Sequence, residues 1–393
     1  MVIGTSSAEH KRYHDPSMWT AIGVVSLAIW IVLLAGRGGF WRFREVIEHD
    51  PLPNEESAPS VAAIVPARDE AETVGRAVKS LLGSRYGGRL HVFVVDDHSS
   101  DGTADIARQA GGDRIAVVSA RPLPPGWTGK LWAIAQGVEA ARGTSPGYLL
   151  FTDADIVHAS GNVAKLVARA QRDDLSLASV MVRLHCSTVA ERLTIPAFVF
   201  FFFKLYPPAW IARADSRTAG AAGGCILIRT QALARIGGIP SIRNELIDDC
   251  ALARRVKADG GRIWLGLSRD TQSIRAYGGF SEVRKMIARS AFTQLHHSAL
   301  VLAGTIAGMA LIYLAPPLLL FAPQNVARAL GLAAWLLMSI AYAPALRFYG
   351  QPLLSAPFLP LTAVFYTFAT VESAVRYWLG TGGLWKGRAQ AHG

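Results

Sequence analysis

Cysteine is scarce in this chain: 393 residues hold three, Cys186, Cys225 and Cys250. An odd number without Cys/His metal-ligand spacing excludes a disulfide framework and a zinc site, and suits a reducing compartment. The phosphate-cradling loop G-x-x-x-x-G-K-[ST] is absent too. Its nearest approach, Gly126-Trp127-Thr128-Gly129-Lys130, has no glycine at the first required position and no Ser or Thr after the lysine. No G-x-G-x-x-G follows a strand-like run, which removes the dinucleotide fingerprint. A calcium loop opening at Asp153 would carry Gly and Glu at its sixth and twelfth positions, where the chain has His158 and Ala164. No internal repeat or low-complexity tract occurs. Acid is in the minority, 29 Asp and Glu against 40 Lys and Arg, for a formal charge of +11.

Apolar residues are plentiful instead, 51% of the chain, and they gather in blocks. Met18 to Gly36 is uncharged and close to the roughly 20 residues that cross a bilayer as a helix. Arg37, Arg42 and Arg44 follow it, and basic residues beside a span favour the cytoplasmic side. A cleaved signal peptide is the rival reading, but the stretch exceeds the usual apolar core of roughly 7–15 residues and no good A-x-A site follows. The expected layout is a tail over 1–17, a transmembrane helix over 18–36 and a linker over 37–57. Ser298 to Ala322, Val326 to Leu346 and Leu353 to Val371 read as further spans, a membrane domain over 297–379 before a tail over 380–393. Prolines 316, 317, 344, 357 and 360 are expected to kink or break these helices. Four spans return both termini to one side of a bacterial-type inner membrane, with the intervening domain cytoplasmic. The positive charge suits anionic lipid or nucleotide, and equally the ordinary basic bias of inner-membrane proteins, which is the favoured reading. No nucleic-acid partner is implied.

Residues 58–291 have an α/β rhythm. Val61 to Val65, Leu90 to Val95, Ile115 to Val118 and Tyr148 to Thr152 read as buried strands, alternating with helical patterns over 74–82, 104–110 and 131–141. Ser99, Ser100 and Asp101 are suited to cap the second of these helices. The expectation is a mainly parallel, doubly wound sheet. An aromatic run, Ile195 to Ile211, interrupts the pattern and reads as a core helix or as an interfacial helix on the bilayer, the latter preferred.

Two of the strand-like runs stop abruptly at acid, Asp96-Asp97 and Asp153-Ala154-Asp155. Carboxylates at the carboxyl edge of such a sheet sit where open α/β folds bind ligands. Their mutual repulsion points to a divalent cation, Mg²⁺ or Mn²⁺, carrying a phosphorylated substrate. A third acidic point, Asp248-Asp249, precedes a helix. It is either a pair of helix-start acids complementing the dipole or a general base. Gly220 to Gly224 is either a wall where a bulky acceptor approaches the backbone or a tight turn between packed elements.

In this order the segments VPARDE, VVDDHSSDGT, GWTGKLWAIAQG, TDAD, GGCILIRTQAL and IDDCALARRVKADGG resemble the family 2 glycosyltransferases, covering most of the 58–291 region. GWTGKLWA and FTDADI look most like the hopene-associated branch. The resemblance implies a GT-A nucleotide-sugar-binding fold flanked by transmembrane helices, and inverting transfer of one sugar from a UDP-sugar to a membrane lipid acceptor, a hopanoid among them. It places Pro66, Arg68 and Glu70 around the nucleotide, Asp97 at the uracil edge with Asp96 beside it, and Lys130 near the donor. Asp155 would hold the metal, with Asp153 its partner near ribose or metal. Gly223 and Gly224 would face the acceptor, and Asp249 would be the base with Asp248 next to it. Two departures stand out: Asp248 replaces the family's usual Glu, and Met286 to Ser290 stands where processive members carry Q-x-x-R-W, which argues against polymer synthesis. Arg289 there, with Arg284 and Lys285, suits a diphosphate or acceptor near the membrane, or is only a basic juxtamembrane face. The alternatives are a polyprenyl-phosphate sugar transferase and a non-catalytic nucleotide-binding membrane protein.

Overall fold

The computed structural model describes residues 16–50 and 58–381, and the backbone of the short strands Leu384–Trp385 and Arg388–Ala389. The tail before residue 16, residues 51–57 of the expected linker and most of the tail beyond 381 lie outside the described residues. Eight strands make one sheet: β1 Val61–Ala67, β2 Leu90–Asp96, β3 Ile115–Ser119, β4 Tyr148–Thr152, β5 Ile156–Val157, β6 Leu177–Arg183, β7 Cys225–Arg229 and β8 Ile263–Ser273. Their spatial order is β3-β2-β1-β4-β7-β6-β8-β5. β1 to β4, β6 and β8 run one way, while β7 is antiparallel to both its neighbours and β5 is antiparallel to β8. The sheet is therefore mostly parallel, as expected, with an antiparallel strand inserted beside β4. That insertion pairs Cys225 with Thr152 and so sets the glycines before β7 against the acidic end of β4.

Both sheet faces are covered. Along β1, Ala62 and Ile64 enter one buried cluster and Val61, Ala63, Val65 and Ala67 the other, the period-2 alternation of a pleated strand. Helix Gly129–Ala141 lies on the first face, with Thr128 as N-cap accepting from the Leu131 amide. A Cβ at Gly137 would stand 2.4 Å from Ile64 Cγ2 and 3.0 Å from Val95 Cγ2. Gly137→Ala is accordingly expected to destabilise the fold by about 1–3 kcal/mol through overpacking, read as a lowered midpoint of thermal unfolding. An unchanged midpoint would contradict this close approach.

The first cluster continues without a break into apolar helices, including Trp30, Phe200, Tyr313, Met338 and Tyr366. Among the described residues five helices are long and apolar enough to cross a membrane: Ser17–Gly36, Val189–Ala212, Ala299–Phe321, Asn325–Phe348 and Leu353–Trp378. Four were expected from composition. The addition contains the aromatic run, whose helix begins at Val189 with a Thr188/Glu191 capping box and continues past Pro196 to Leu205. It does not lie free at an interface: Phe200 stacks edge-on to Tyr342, Phe201 to Tyr366, and the Tyr366 hydroxyl donates to the Thr194 carbonyl at 3.0 Å.

Residues 37–50, read as linker, are instead fastened to the domain. Glu45 accepts from Trp264 Nε1 at 2.9 Å, Arg169 pairs with Asp50 at 3.1 Å, and Val46 bridges to Leu267 of β8. The charges and the edge of β8 that this segment meets lie more than a hundred residues away, so its composition alone gives no sign of docking.

Candidate active site

The acids at the ends of β2 and β4 come together along the carboxyl edge of the sheet, and the turns around them are held by side-chain bonds. After β1 the chain turns through Asp69, which has a positive φ of 49°. Its amide donates to Ser99 Oγ at 3.0 Å, the Glu70 amide to Thr103 Oγ1 at 2.8 Å, and the Ala71 amide to Asp101 at 2.9 Å. Ser99 and Asp101 thus clasp the loop after β1. Gly102 is the N-cap residue of helix Thr103–Gly111, and of the three expected caps it is Asp101 that reaches the helix, its Oδ1 accepting from the Thr103 amide at 3.0 Å. Within the clasp, Arg68 donates to the Asp97 carbonyl at 2.6 Å and stands 3.7 Å from its carboxylate, which is almost wholly buried. Asp96 ends β2 and accepts weakly from the Ser99 amide at 3.4 Å.

Pro66, Lys130, Asp153, Gly223, Asp248 and Asp249 line one small pocket, closed on its other side by Leu131, Ile134, Ile226, Ile239, Ile242 and Leu252. Lys130, in the first turn of its helix, is the hub: its ammonium lies 2.8 Å from Asp153 and 3.5 Å from Asp248. Burial alone would lower its pKa, but Asp153 and Asp248 outweigh that and raise it, so the ammonium stays charged. Asp249 is held at both oxygens, Oδ2 accepting from the Gly223 amide at 2.8 Å and Oδ1 from the Cys250 amide at 2.7 Å. Helix Asp248–Ala258 has Ile247 at its N-cap and no side-chain cap. Asp249 thus meets one of the first-turn amides of its own helix, and with Asp248 it also lines the pocket. Burial first, then Asp248, raises the Asp249 pKa to about 6, against the opposing pull of Lys130 and the two amides. A carboxylate with that value changes protonation near neutral pH, which suits proton transfer.

Asp155 faces the other side of the acidic turn. Its Oδ2 accepts from Ser273 Oγ at 2.7 Å and from Arg275 Nε at 3.3 Å, and the Arg275 guanidinium also pairs with Glu70 at 2.6 Å. Burial and Asp153 raise the Asp155 pKa further than Arg275 and Ser273 lower it. Arg275 and Ser273 were not singled out in the sequence; the only signal was the polar run SRDTQSIR that ends a buried strand. Nor was His158, which holds the turn from behind. Thr152 Oγ1 donates to the Gly224 carbonyl at 2.9 Å and so accepts from His158 Nε2 at 2.9 Å, while Asn162 donates to Nδ1 at 3.0 Å. Burial lowers the His158 pKa to about 4, so the ring is neutral.

Two sequence-predicted residues stand apart. Gly224 turns away from the pocket, its Cβ position lying 3.3 Å from Val182 and 3.4 Å from Ile156. Arg289 is exposed just after helix Phe280–Ala288, and no hydrogen bond links it to the acids.

Among the described residues no group of three or more His, Cys, Asp or Glu forms a ready-made metal cage. A small hard cation needs less: one or two carboxylates suffice when substrate phosphates and water complete the shell. Asp153 and Asp155 offer that set, and the bonds given above use only Oδ1 of the first and Oδ2 of the second. The two carboxylates fit a divalent cation.

Residues 62–237 match the family model for glycosyl transferase family 2. A 4,4'-diaponeurosporenoate glycosyltransferase of Staphylococcus haemolyticus is 34% identical over 113 residues, 29% of this chain and 28% of that protein. A probable glycosyltransferase of Bacillus subtilis is 29% identical over 136 residues, 32% of each chain. The chain thus spans about a third or less of the length of these relatives. A mannosyltransferase from Pyrobaculum calidifontis, solved with GDP-mannose and Mn²⁺, superposes with a TM-score of 0.53 at 17% identity, covering 94% of this chain and all of that one. At that identity the likeness establishes the GT-A fold and nothing of the substrate.

Proposed function

We propose that the protein, whose residues 62–237 match the model for glycosyl transferase family 2, is a membrane-bound inverting glycosyltransferase that moves one sugar from a UDP-sugar to a lipid acceptor. The observation that carries this reading is Asp249: a half-buried carboxylate with a pKa raised to about 6, fixed by two amides at the rim of a pocket it shares with Lys130 and Asp153. In this reading Asp249 takes the proton of the acceptor hydroxyl as that oxygen attacks the anomeric carbon and the bond to the diphosphate breaks. Lys130 stabilises the charge developing on the leaving diphosphate. The Arg68–Asp97 pair at the end of β2 receives the nucleobase, with Pro66 and Glu70 forming the adjoining wall and Asp96 beside it. A divalent cation held by Asp153 and Asp155 would supply further neutralisation of the diphosphate. Gly223 leaves room for the acceptor beside Asp249, because a Cβ there would crowd the carboxylate at 3.2 Å and Lys130 Nζ at 3.5 Å.

The continuity of the core supports a lipid acceptor: the face of the sheet that carries the Lys130 helix runs into five helices of membrane-spanning length. An acceptor that stays in the bilayer would meet the site from that side, with the domain facing the cytoplasm and Arg289 near the membrane surface. The resemblance to the hopene-associated branch makes a hopanoid the first acceptor to test. Purified protein is incubated with UDP-sugars, Mn²⁺ and a bacterial lipid extract, and released UDP and new glycolipid are measured. Release that depends on the lipid supports the reading; no release with any of several donors overturns it.

The cation is tested apart from turnover. Mn²⁺ is expected to raise the unfolding midpoint of the wild type, since a ligand that binds only the folded state stabilises it. The rise should be lost in Asp153→Asn and Asp155→Asn, and an equal rise in both variants would remove the metal from the site.

A further inference from the structure

Away from the acidic edge, two cations lie together among aromatic rings. Arg37 follows directly on helix Pro16–Gly36, and Lys204 sits in the last turn of helix Val189–Leu205. Arg37 Nε donates to the Lys204 carbonyl at 2.6 Å, and its guanidinium lies over the Trp210 ring, 5.1 Å from the centroid. Lys204 Nζ donates to the Tyr313 hydroxyl at 2.8 Å and lies 4.7 Å and 5.3 Å from the ring centroids of Tyr313 and Phe201. Both cations are partly buried, and among the described residues neither has a carboxylate partner.

Several other part-buried cations of the protein differ from this pair. Lys130, Arg169, Arg275 and Arg284 all face carboxylates, and Lys257 is surrounded by the carbonyls of Trp210, Ile211 and Thr218. The helix ends beside Arg37 and Lys204 supply only about half a negative charge each. Ring faces attract the cations but add no formal charge. Among the described residues, two neighbouring basic side chains held out of bulk water thus lack an acidic partner.

Their level in the fold indicates which anion fits. The helix ending at Gly36 has 21 residues, which at about 1.5 Å per residue matches a hydrocarbon core of about 30 Å. Arg37 then falls where a spanning helix reaches the headgroups, with Trp210 and Tyr313 as interfacial aromatics. An arginine fork beside a lysine point charge is well suited to phosphate oxygens. We propose that Arg37 and Lys204 form a binding site for a phosphate group, supplied by the headgroup of an anionic membrane lipid. The proposal rests on helix Pro16–Gly36 spanning the membrane and is independent of sugar transfer.

Full-length protein in detergent is titrated with dioleoylphosphatidylglycerol, with dioleoylglycerol, which keeps the tails and lacks the phosphate, and with inorganic phosphate. The unfolding midpoint is expected to rise by ~2–4 °C with phosphatidylglycerol and to stay unchanged with dioleoylglycerol. The double variant Arg37→Gln, Lys204→Met should lose the rise. A small response to inorganic phosphate identifies the lipid as the source, and an equal response identifies a soluble phosphate at the same cations. If the double variant does not fold, Arg37→Gln and Lys204→Gln singly should each lose at least half of the rise. An undiminished rise in both, or an equal rise with dioleoylglycerol, overturns the site.

Discussion

Asp249→Asn is expected to lower sugar transfer by about 10²–10⁴-fold, the usual contribution of a positioned general base, while the protein still folds and binds nucleotide. Asparagine keeps the shape of the side chain but accepts from only one of the amides of Gly223 and Cys250, so thermal unfolding and nucleotide binding are measured alongside to separate the chemical loss from the structural one. The wild-type pH profile carries the same signature. Because the Asp249 pKa is raised to about 6 and the base must be ionised, transfer should fall as pH drops through that value and level off above it. The limb should be absent from whatever activity the Asn variant retains. Steady-state rates from pH 5 to 8 on both proteins, with nucleotide binding measured separately, check this. A variant that transfers at the wild-type rate would show that the acceptor arrives already ionised, as a polyprenyl phosphate does, and would remove the base role.

Lys130→Met is expected to have the second largest effect, and on two quantities at once. The ammonium separates Asp153 from Asp248 and also lowers the pKa of Asp249. Removing it leaves three nearby carboxylates without their shared cation. Loss of one partner from a buried ion pair costs about 3–5 kcal/mol, which becomes about 1–3 kcal/mol here because Asp153 is over a third exposed and screened by water. The Lys130 pKa lies above its ordinary value of 10.5, so this stabilisation is fully present below that value and is lost only as pH rises through the higher folded value. Lys130 itself therefore adds no pH dependence between pH 6 and 9, and the destabilisation should vary there only as Asp249 titrates. Transfer should also fall, and the acid limb of what remains should move above 6, because Asp249 loses a charge that favoured its ionised form. Thermal unfolding and a pH–rate profile of the variant test both parts. An unshifted limb would mean that Lys130 and Asp249 do not interact.

Several features of the site were legible in the chain because they are local. β1, β2 and β4 read as strands because each is a short apolar run, buried on both faces and ended by Pro-Ala-Arg or by acid. Asp97 and Asp153 could then be placed at the carboxyl edge by strand direction alone. The helical pattern over 131–141 put Lys130 next to a helix start, and the structure begins that helix at Gly129 with Thr128 as its N-cap. Misreadings arose where a local role competed with a distant partner. Ser99 has the chemistry of a cap but bonds to the loop after β1, some thirty residues earlier, and Asp101 divides its two oxygens between that loop and the first amide of the helix. Gly223 and Gly224 look alike in sequence, yet only Gly223 lines the pocket, because successive residues entering a strand point to opposite sides.

The sequence by itself determined the α/β core, the acidic ends of β2 and β4 and the apolar helices, since strand length, side-chain periodicity and span length are properties of contiguous residues. Only the tertiary structure decided that β7 runs antiparallel beside β4, that Arg275 bridges Glu70 and Asp155 across 205 and 120 positions, and that the Gly223 amide holds Asp249. Those contacts depend on strand order and on charges meeting after the chain has folded back on itself, and no window of the sequence contains both partners.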